Sequence, residues 1–211
     1  MHTDAKFWDK VSTKYASKPV PSEEIYAQKL AISRRFMTPQ STVLEFGCGT
    51  GTTALKHAKD VAHITAYDFS PAMIAIANDK QRQQANAGNI DFRVAAVEDI
   101  EFGSEQYDVV MGHSILHLTF DNDKTLKKIF AGLKPGGVFI SGSGCLKDMN
   151  PLLRLALPVL QMLGKAPKIN HFSANELVDL HTQIGFEVAE RWEYKKGELF
   201  LVARKPEGET H

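Results

Sequence analysis

The sequence predicts an α/β fold in which a mostly parallel sheet carries helices on both faces. From Thr42 to Gly144, short runs of β-prone residues alternate with helical patterns, which is typical of parallel strands connected by helices. Near the C-terminus, the strands FEVAERWEY and KGELFLVAR are joined tightly around Lys196 and Gly197, as in an antiparallel hairpin at a sheet edge. The length of 211 residues suits one core, so residues 1–211 are predicted to form a single domain.

Two amphipathic helices are predicted before the sheet, within residues 1–40. Phe7, Val11 and Tyr15 recur every four residues, so they share one face of a first helix. The prolines of KPVPS end that helix, and EEIYAQKLAISRRFM has the pattern of a second one. We expect both to act as N-terminal cap helices.

The alternating region contains the candidate strands of the parallel sheet and the helices between them. In chain order these are strand TVLEF, helix TTALKHAKD, strand AHITAYDF, helix PAMIAIANDKQRQQA, strand IDFRVA, strand YDVVMG, a helix around KTLKKIFAGL and strand GGVFISG. The apolar run YDVVMG is typical of a strand at the centre of a parallel sheet, because both faces of such a strand are buried.

The alternation stops after Gly144, and residues 146–172 are predicted to form a small helical lid. Their apolar segment NPLLRLALPVLQMLGKAP is interrupted by Pro158, and a core helix kinked at this proline is the alternative. SANELVDLHTQIG then has a serine N-cap, a glutamate three residues later and a glycine stop, so it predicts another helix. Residues 206–211 are predicted to be a polar tail.

Composition and charge exclude several classes of protein. Lysine plus arginine and aspartate plus glutamate both number 25, so the net charge favours neither nucleic acid nor a membrane as partner. The charged N-terminus lacks a signal-peptide core, and no apolar run approaches the roughly 18 residues of a bilayer span. The two cysteines, Cys48 and Cys145, form no disulfide framework and suit a reducing compartment. We therefore expect a cytoplasmic protein.

A glycine-rich loop follows the first strand of the alternating region. Gly47, Gly49 and Gly51 form the pattern G-x-G-x-G in VLEFGCGTG. The dinucleotide fingerprint G-x-G-x-x-G requires a glycine where Thr52 stands, and this departure disfavours a nicotinamide or flavin cofactor. A phosphate-binding P-loop fits less well, because no lysine followed by serine or threonine closes the loop.

Two carboxylates at predicted strand ends indicate more closely which class of ligand the loop binds. Glu45 lies two residues before the first glycine, where it would repel a pyrophosphate and attract a cationic group. Asp68 ends the next strand, close to the interval of about 20 residues at which a carboxylate binds ribose hydroxyls. The pair therefore predicts a ligand with a ribose and a positive group, and S-adenosylmethionine has both.

Five segments, taken in order, resemble the class I S-adenosylmethionine-dependent methyltransferases, and within them the group similar to the ubiquinone/menaquinone-biosynthesis methyltransferases. They are LEFGCGTG, YDFSPAMIAIA, VEDIEF, YDVVMGHSILHL and LKPGGVFI, and the resemblance covers nearly the whole chain. It implies a Rossmann-like sheet of seven strands, FEVAERWEY and KGELFLVAR included. It also implies an enzyme, a monomer or homodimer, that passes the methyl group of S-adenosylmethionine by direct in-line attack to a small molecule.

The resemblance assigns a role to each residue at the methionine end of the cofactor. Gly47, Cys48, Gly49 and Gly51 would line the methionine and ribose portion, mostly through their backbone. Glu45 would organise the amino end, directly or through water.

The resemblance also places the adenosine. Asp68 would accept hydrogen bonds from both ribose hydroxyls, while Phe69 and Met73 would pack on the adenine. The alternative for Asp68 is a cap of the helix that begins at Ser70, and the alternative for Phe69 and Met73 is a place in the core.

Three further sites follow from the resemblance. Related enzymes often carry an aspartate where Ala96 stands, so the adenine amino group is expected to contact the Val97 backbone or Glu98. Tyr15 resembles an N-terminal tyrosine that folds over the cofactor, and simple helix packing is the alternative. His113 falls in the loop expected after the fourth strand, where cofactor and substrate meet, so it is the one candidate for a catalytic residue.

The two histidines of this region are also at a spacing that can bind zinc. His113 and His117 are four residues apart and would share one helix face. No carboxylate or third histidine joins them at ligand spacing, so no metal site is predicted. His117 is interpreted as structural, and His113 as either substrate-facing or part of the site wall.

The acceptor pocket is expected between the N-terminal helices, the loop at His113 and the segment Met149 to His171. Leucines of that segment suggest a small, partly apolar acceptor under the lid. Its scattered basic residues would favour an anionic acceptor, or they are solvated lysines. The alternatives to a methyltransferase are a non-catalytic cofactor-binding protein, a nicotinamide oxidoreductase on a related fold, and a polyamine synthase, which the basic lid disfavours.

Overall fold

The computed structural model describes most of the chain, including the whole predicted α/β region. The described residues are 3–149, 151, 157, 161–162 and 169–208. Most of the predicted lid, at residues 150, 152–156, 158–160 and 163–168, lies outside them, as do residues 1–2 and the tail residues 209–211.

The strands form one sheet that confirms the predicted fold. Their bounds are β1 Thr42–Phe46, β2 His63–Asp68, β3 Ile90–Val94, β4 Tyr107–His113, β5 Leu133–Gly144, β6 Glu187–Lys195 and β7 Glu198–Arg204. The order across the sheet is β3-β2-β1-β4-β5-β7-β6. β1 to β5 run parallel, whereas β7 is antiparallel to both β5 and β6, so the hairpin closes one edge as expected.

The helices follow the predicted order and begin at recognisable caps. Their bounds are α1 Thr3–Ala16, α2 Glu23–Arg34, α3 Thr52–His57, α4 Pro71–Arg82, α5 Asn122–Gly132 and α6 Ala174–Ile184. The side chains of Ser22, Ser70 and Ser173 each accept a hydrogen bond from a backbone N–H in the first turn. At α6 the predicted capping box is complete, and Gly185 ends the helix with a φ of 113°.

The sheet is buried on both faces, with one core cluster on each. One cluster joins Phe46 and Phe139 of the sheet with Leu126 of α5. The other joins Met111 of the sheet with Leu55 of α3. Because a central strand supplies both clusters, its apolar run is continuous rather than alternating, as expected for YDVVMG.

Two elements have bounds that differ from the sequence expectation. The helix expected for TTALKHAKD ends at His57 and continues as the 3-10 turn Ala58–Asp60, where Asp60 pairs with Arg34 of α2 at 2.8 Å. β5 begins before GGVFISG, and its pairing with β4 shifts register where Gly136 takes a φ of 76°. A glycine in this conformation allows a strand to bulge without breaking.

The strand order creates a crevice at the carboxyl end of β1. This strand pairs with β2 on one side and with β4 on the other, so the chain connections leave it in opposite directions. Ligands of open α/β sheets bind at such a switch point, outside the carboxyl ends of the strands. The glycine loop begins there, while α1 packs on α4 and α2 packs on α3 beside it.

Among the described residues, no helix is both long enough and apolar enough to cross a membrane.

Candidate functional site

The glycine loop after β1 has a backbone that glycine adopts without strain. Gly47, Gly49 and Gly51 have φ angles of 64°, 54° and 72°. A Cβ on Gly47 would lie 2.7 Å from the Ile115 side chain, and one on Gly51 would lie 2.6 Å from Phe92. These two glycines therefore allow neighbouring side chains to pack directly on the loop.

Helix α1 lies over the middle of the loop. A Cβ on Gly49 would meet Tyr15, at 3.8 Å, and no other atom of the described residues beyond its chain neighbours within 4 Å. Tyr15 is half exposed, at 50%, and partial burial followed by the Asp68 carboxylate raises the pKa of its hydroxyl. The loop backbone is thus open at Gly49, with Tyr15 at its edge, which is compatible with the predicted contact to a cofactor.

Asp68 ties the end of β2 to this loop. Its carboxylate accepts hydrogen bonds from the backbone N–H groups of Gly49 and Ser70, both at 2.9 Å. Burial raises the pKa of Asp68, and these two N–H donors oppose that effect. A carboxylate has about four lone-pair sites, so two remain for ribose hydroxyls. The hydrogen bond from Gly49 to Asp68, which anchors the loop, is not evident from the sequence. The alternative role of Asp68 as the cap of α4 is taken by Ser70.

Glu45 is a buried carboxylate without a full set of partners. It is 2% exposed, and its Oε2 atom has no hydrogen-bond partner within the described part of the chain. The backbone N–H of Ala54 donates to this carboxylate. Burial, and then the charge of Asp68, raise the pKa of Glu45 to about 8. A buried acceptor left unpaired costs about 1–3 kcal/mol, so this oxygen marks a place for a donor or a cation.

A cavity of about 530 Å³ opens beside the glycine loop, at the ends of the first three strands. Of the predicted cofactor residues, Gly47, Phe69, Val97 and Glu98 line it. Ala96, where the sequence departs from related enzymes, also faces this space. The structure therefore brings three of the predicted adenine residues, Phe69, Val97 and Glu98, together around one opening.

Met73 and Cys48 are among the predicted cofactor residues that do not line this cavity. Met73 is 2% exposed, and its backbone N–H donates to the Ser70 hydroxyl as part of the α4 cap. Cys48 is 8% exposed, and burial, followed by Glu45 and Asp68, raises the pKa of its thiol well above the usual value. Cys48 is therefore an un-ionised thiol, and the proposed adenine contact of Met73 stays a prediction.

Helix α1 is held at the site by a contact that the sequence analysis missed. The Asp9 carboxylate accepts a hydrogen bond from the Ser70 hydroxyl at 2.5 Å and one from the Ala72 backbone N–H at 3.3 Å. A carboxylate is favourable at a helix N-terminus, here that of α4. The contact also brings Trp8 to the cavity wall. Asp9 and Ser70 are 61 positions apart, so no local spacing reveals the pair.

His113 is the last residue of β4 and does not lie in the following loop, where the sequence analysis placed it. The strand continues because His113 still pairs with Gly142 of β5. Glu45 pairs with Met111, so His113 lies about level with Gly47 in the neighbouring chain. Burial, then Lys29, then His57 lower the pKa of His113 to about 3, which makes the ring neutral at pH 7.

His117 lies one turn further on and is separate from the cavity lining. Its Nδ1 atom is buried and has no partner among the described residues, and burial lowers its pKa to about 4. Among the residues that the structure describes, no group of three or more His, Cys, Asp or Glu side chains is arranged to hold a metal ion.

The chain is similar to known methyltransferases over most of its length. The family described as a methyltransferase domain matches residues 37–196. The ubiquinone/menaquinone biosynthesis C-methyltransferase of Vibrio parahaemolyticus is 28% identical over 150 residues, which are 65% of this chain and 54% of that protein. The chain thus spans about half the length of the curated relatives that it matches.

Solved structures share the fold. The [4+2]-cyclase SpnF has a TM-score of 0.77 at 17% identity, covering 97% of this chain and 95% of the other. An S-adenosylmethionine-dependent methyltransferase from Methanosarcina mazei has a TM-score of 0.70 at 22% identity, covering 84% and 98%. These structures have the Rossmann-like architecture that the sequence predicts.

The described residues fit the cofactor that this family implies, S-adenosylmethionine. The unpartnered oxygen of Glu45 can accept a hydrogen bond from a cationic amino group, and Asp68 retains lone pairs for ribose hydroxyls. The cavity at Phe69 and Val97 offers room for a base. From the match over residues 37–196 and this site, the chain belongs to the methyltransferase domain family as a class I S-adenosylmethionine-dependent methyltransferase, similar to the ubiquinone/menaquinone-biosynthesis group.

Proposed function

We propose that this protein transfers a methyl group from S-adenosylmethionine to a small-molecule acceptor by direct in-line attack. The observation that carries the proposal is the unpartnered buried oxygen of Glu45 beside an open glycine backbone. With a pKa of about 8 this carboxyl is mostly protonated in the free protein at pH 7, but it can ionise against the cationic amino end of the cofactor, whereas a dinucleotide pyrophosphate offers it no cation. The alternative of a nicotinamide oxidoreductase is therefore disfavoured on electrostatic grounds.

Each part of the cofactor has a group of this chain to hold it. In the proposal, Glu45 binds the amino end, the backbone at Gly47 and Gly49 supports the methionine, Asp68 binds the ribose and Phe69 packs on the adenine. Support comes from the hydrogen bond between Asp68 and Gly49, because it makes the ribose and methionine subsites one rigid unit. The bound cofactor supplies an activated methyl group, so the chain has to orient it and to exclude water.

Alignment is the main catalytic contribution expected of the chain. Holding the acceptor in line with the methyl group can lower the activation barrier by about 7–11 kcal/mol, because translational and rotational entropy is already lost when the two reactants bind. A general base is required only when the acceptor loses a proton during attack. His113, with a pKa of about 3, is a weak base near neutral pH. We therefore assign it a positioning role, as a neutral hydrogen-bonding group.

The predicted lid beside the cofactor cavity favours a small, enclosed molecule as acceptor. The cavity's volume of about 530 Å³ is within the range of about 300–1,000 Å³ typical of small-molecule sites, and we assign it to the adenosine end of the cofactor, with the acceptor next to it. Gln161, Ile169 and Asn170 of the predicted lid line it, and Asn170 donates to the Thr119 carbonyl after β4 at 2.5 Å. These contacts support a lid over the acceptor, most of which lies outside the described residues. The balanced charge gives no reason to expect a nucleic acid as substrate.

Methyl transfer from a labelled donor tests the proposal. Purified protein is incubated with S-adenosylmethionine carrying a labelled methyl group and a panel of small carboxylates, phenols, amines and thiols. We expect label on one class of acceptor and formation of S-adenosylhomocysteine in equal amount. Binding of S-adenosylhomocysteine without transfer to any acceptor would favour the non-catalytic alternative.

A further inference from the structure

Lys29 of helix α2 and His113 of β4 bring two nitrogen atoms to one open position above Gly142 in β5. A Cβ built on Gly142 would lie 3.5 Å from Nδ1 of His113 and 3.9 Å from Nζ of Lys29. Apart from its chain neighbours, no other atom of the described residues lies within 4 Å of that point. The two nitrogens therefore cannot be farther apart than the sum of these distances, and no other described side chain occupies the point that both of them face.

Neither nitrogen is satisfied by the protein. In the part of the chain that the structure describes, Nζ of Lys29 and the ring of His113 make no hydrogen bond, and Lys29 instead lies 3.9 Å above the ring of Tyr194. The His113 ring stacks on Phe200, with centroids 6.0 Å apart and planes at 6°. Lys29 and His113 are both half-buried, and two unpaired donors that converge on one point can both bind a single acceptor of hydrogen bonds.

The position lies beyond the cofactor, on the side away from the ribose. The strand order β2-β1-β4-β5 carries Asp68, Glu45, His113 and Gly142 in that sequence along the carboxyl edge of the sheet. Neighbouring strands are about 4.8 Å apart, so Gly142 lies about 10 Å past the strand that holds Glu45. A group bound there is next to the methionine end and opposite the adenosine.

We infer that Lys29 and His113 form a subsite that binds a carboxylate carried by the methyl acceptor. The inference rests on the proposed function and names the chemical class of its substrate. Two N–H donors that face one point match the two oxygens of a carboxylate, with His113 carrying its proton on Nδ1. The ring of Tyr194 packs against Lys29 and that of Phe200 against His113, so the two donors are held on an aromatic floor.

Glu198, the acidic residue whose charge acts on Lys29, is already engaged. The hydroxyl of Tyr194 donates to Oε2 of Glu198 at 3.0 Å. Glu198 pairs with Gly144, which is two residues farther along β5 than Gly142, or about 7 Å. Glu198 therefore lies toward the outer rim. Burial lowers the pKa of the Lys29 amine, and the charge of Glu198 opposes that effect.

The test uses benzoate as probe and benzamide as its uncharged counterpart. Binding of each is measured by calorimetry to the full chain saturated with S-adenosylhomocysteine. Three variants are compared with the wild type. Lys29→Met removes the charge and keeps the stem, Gly142→Ala fills the open position without a forbidden backbone angle, and Gly88→Ala, with nothing within 4 Å of its Cβ, is the matched control.

We expect benzoate to bind at least tenfold more tightly than benzamide. Lys29→Met and Gly142→Ala should each weaken benzoate at least tenfold, while S-adenosylhomocysteine affinity changes less than twofold and Gly88→Ala behaves as wild type. If Gly142→Ala unfolds at a clearly lower temperature than the wild type, the benzoate affinity of Lys29→Met alone tests the inference.

Three results would overturn the inference. One is equal binding of benzoate to wild type and Lys29→Met, and another is no benzoate binding although S-adenosylhomocysteine binds. The third is a large loss of S-adenosylhomocysteine affinity in Lys29→Met, because Lys29 would then hold the cofactor's own carboxylate. Failure of the wild type to bind S-adenosylhomocysteine at all would instead remove the proposed function, and the inference with it.

Discussion

Replacing Glu45 by glutamine should stabilise the free protein near pH 8 and weaken its binding of the cofactor. Burial, and then the Asp68 carboxylate, raise the pKa of Glu45 from 4.5 to about 8. Each pKa unit corresponds to about 1.4 kcal/mol, so ionising this carboxyl in the folded protein costs about 5 kcal/mol more than in the unfolded chain.

The direction of the pH dependence follows from proton binding. The folded chain holds the Glu45 proton more tightly than the unfolded chain, so this contribution to stability is complete below about pH 4.5 and is lost as the pH rises toward about 8. Glutamine has no proton to lose. Its buried amide costs about 1–3 kcal/mol if unpaired, which leaves a net gain of about 2–4 kcal/mol near pH 8.

Thermal unfolding near pH 5 and pH 8 measures this effect. For a chain of this size, about 1 kcal/mol moves Tm by 2–4 °C, so Glu45→Gln should melt roughly 5–15 °C above wild type near pH 8 and show little or no gain near pH 5. S-adenosylhomocysteine affinity should fall about tenfold or more, because a hydrogen bond to a charged group contributes about 1.5–3 kcal/mol. Glu187→Gln, at an exposed position of β6, is the control. A variant whose stability follows pH as wild type does, with unchanged affinity, would refute the reasoning.

Three further outcomes are expected. Asp68→Ala should lower the affinity for S-adenosylhomocysteine at least tenfold by calorimetry, because it removes ribose contacts of about 1.5–3 kcal/mol each. It should also lower Tm, because two backbone N–H groups lose their acceptor, whereas Asp79→Ala, at an exposed site, should have neither effect. Asp9→Ala should speed hydrogen exchange across α1 and leave the sheet protected, because it removes the contact of α1 with the start of α4; equal exchange of α1 in both proteins would contradict this role. Cys48 and Cys145 should resist a thiol reagent until the protein unfolds, since burial raises the pKa of both thiols; fast labelling of the native protein would show that they are accessible.

The parts of the fold that the sequence predicts well are those that depend on neighbouring residues. The run TVLEF, the glycines after it and the capping box at Ser173 each determine a local conformation, and the structure has a strand, a positive-φ loop and a helix start at those places. His113 lies at the end of β4 and not in the expected loop, because pairing with β5 extends the strand as far as His113. No local sequence pattern specifies that pairing.

The parts of the candidate site that the sequence does not reveal depend on contacts between distant segments. Lys29 is one of many lysines until α2 packs over Gly142, and Asp9 has no evident role until α1 meets α4. The protonation of Glu45 also depends on distant contacts, since its raised pKa comes from burial and from Asp68 in another strand. Spacing along the chain indicates which residues face a sheet edge, but only the packed structure brings them within a few ångströms of each other.

Calorimetric titration of the purified wild-type chain with S-adenosylhomocysteine and, separately, with NAD tests the central claim most directly. The Glu45 carboxylate, the open glycine loop and Asp68 predict saturable binding of S-adenosylhomocysteine at one site per chain and no heat from NAD at the same concentration. Tight binding of NAD together with no response to S-adenosylhomocysteine would contradict the account.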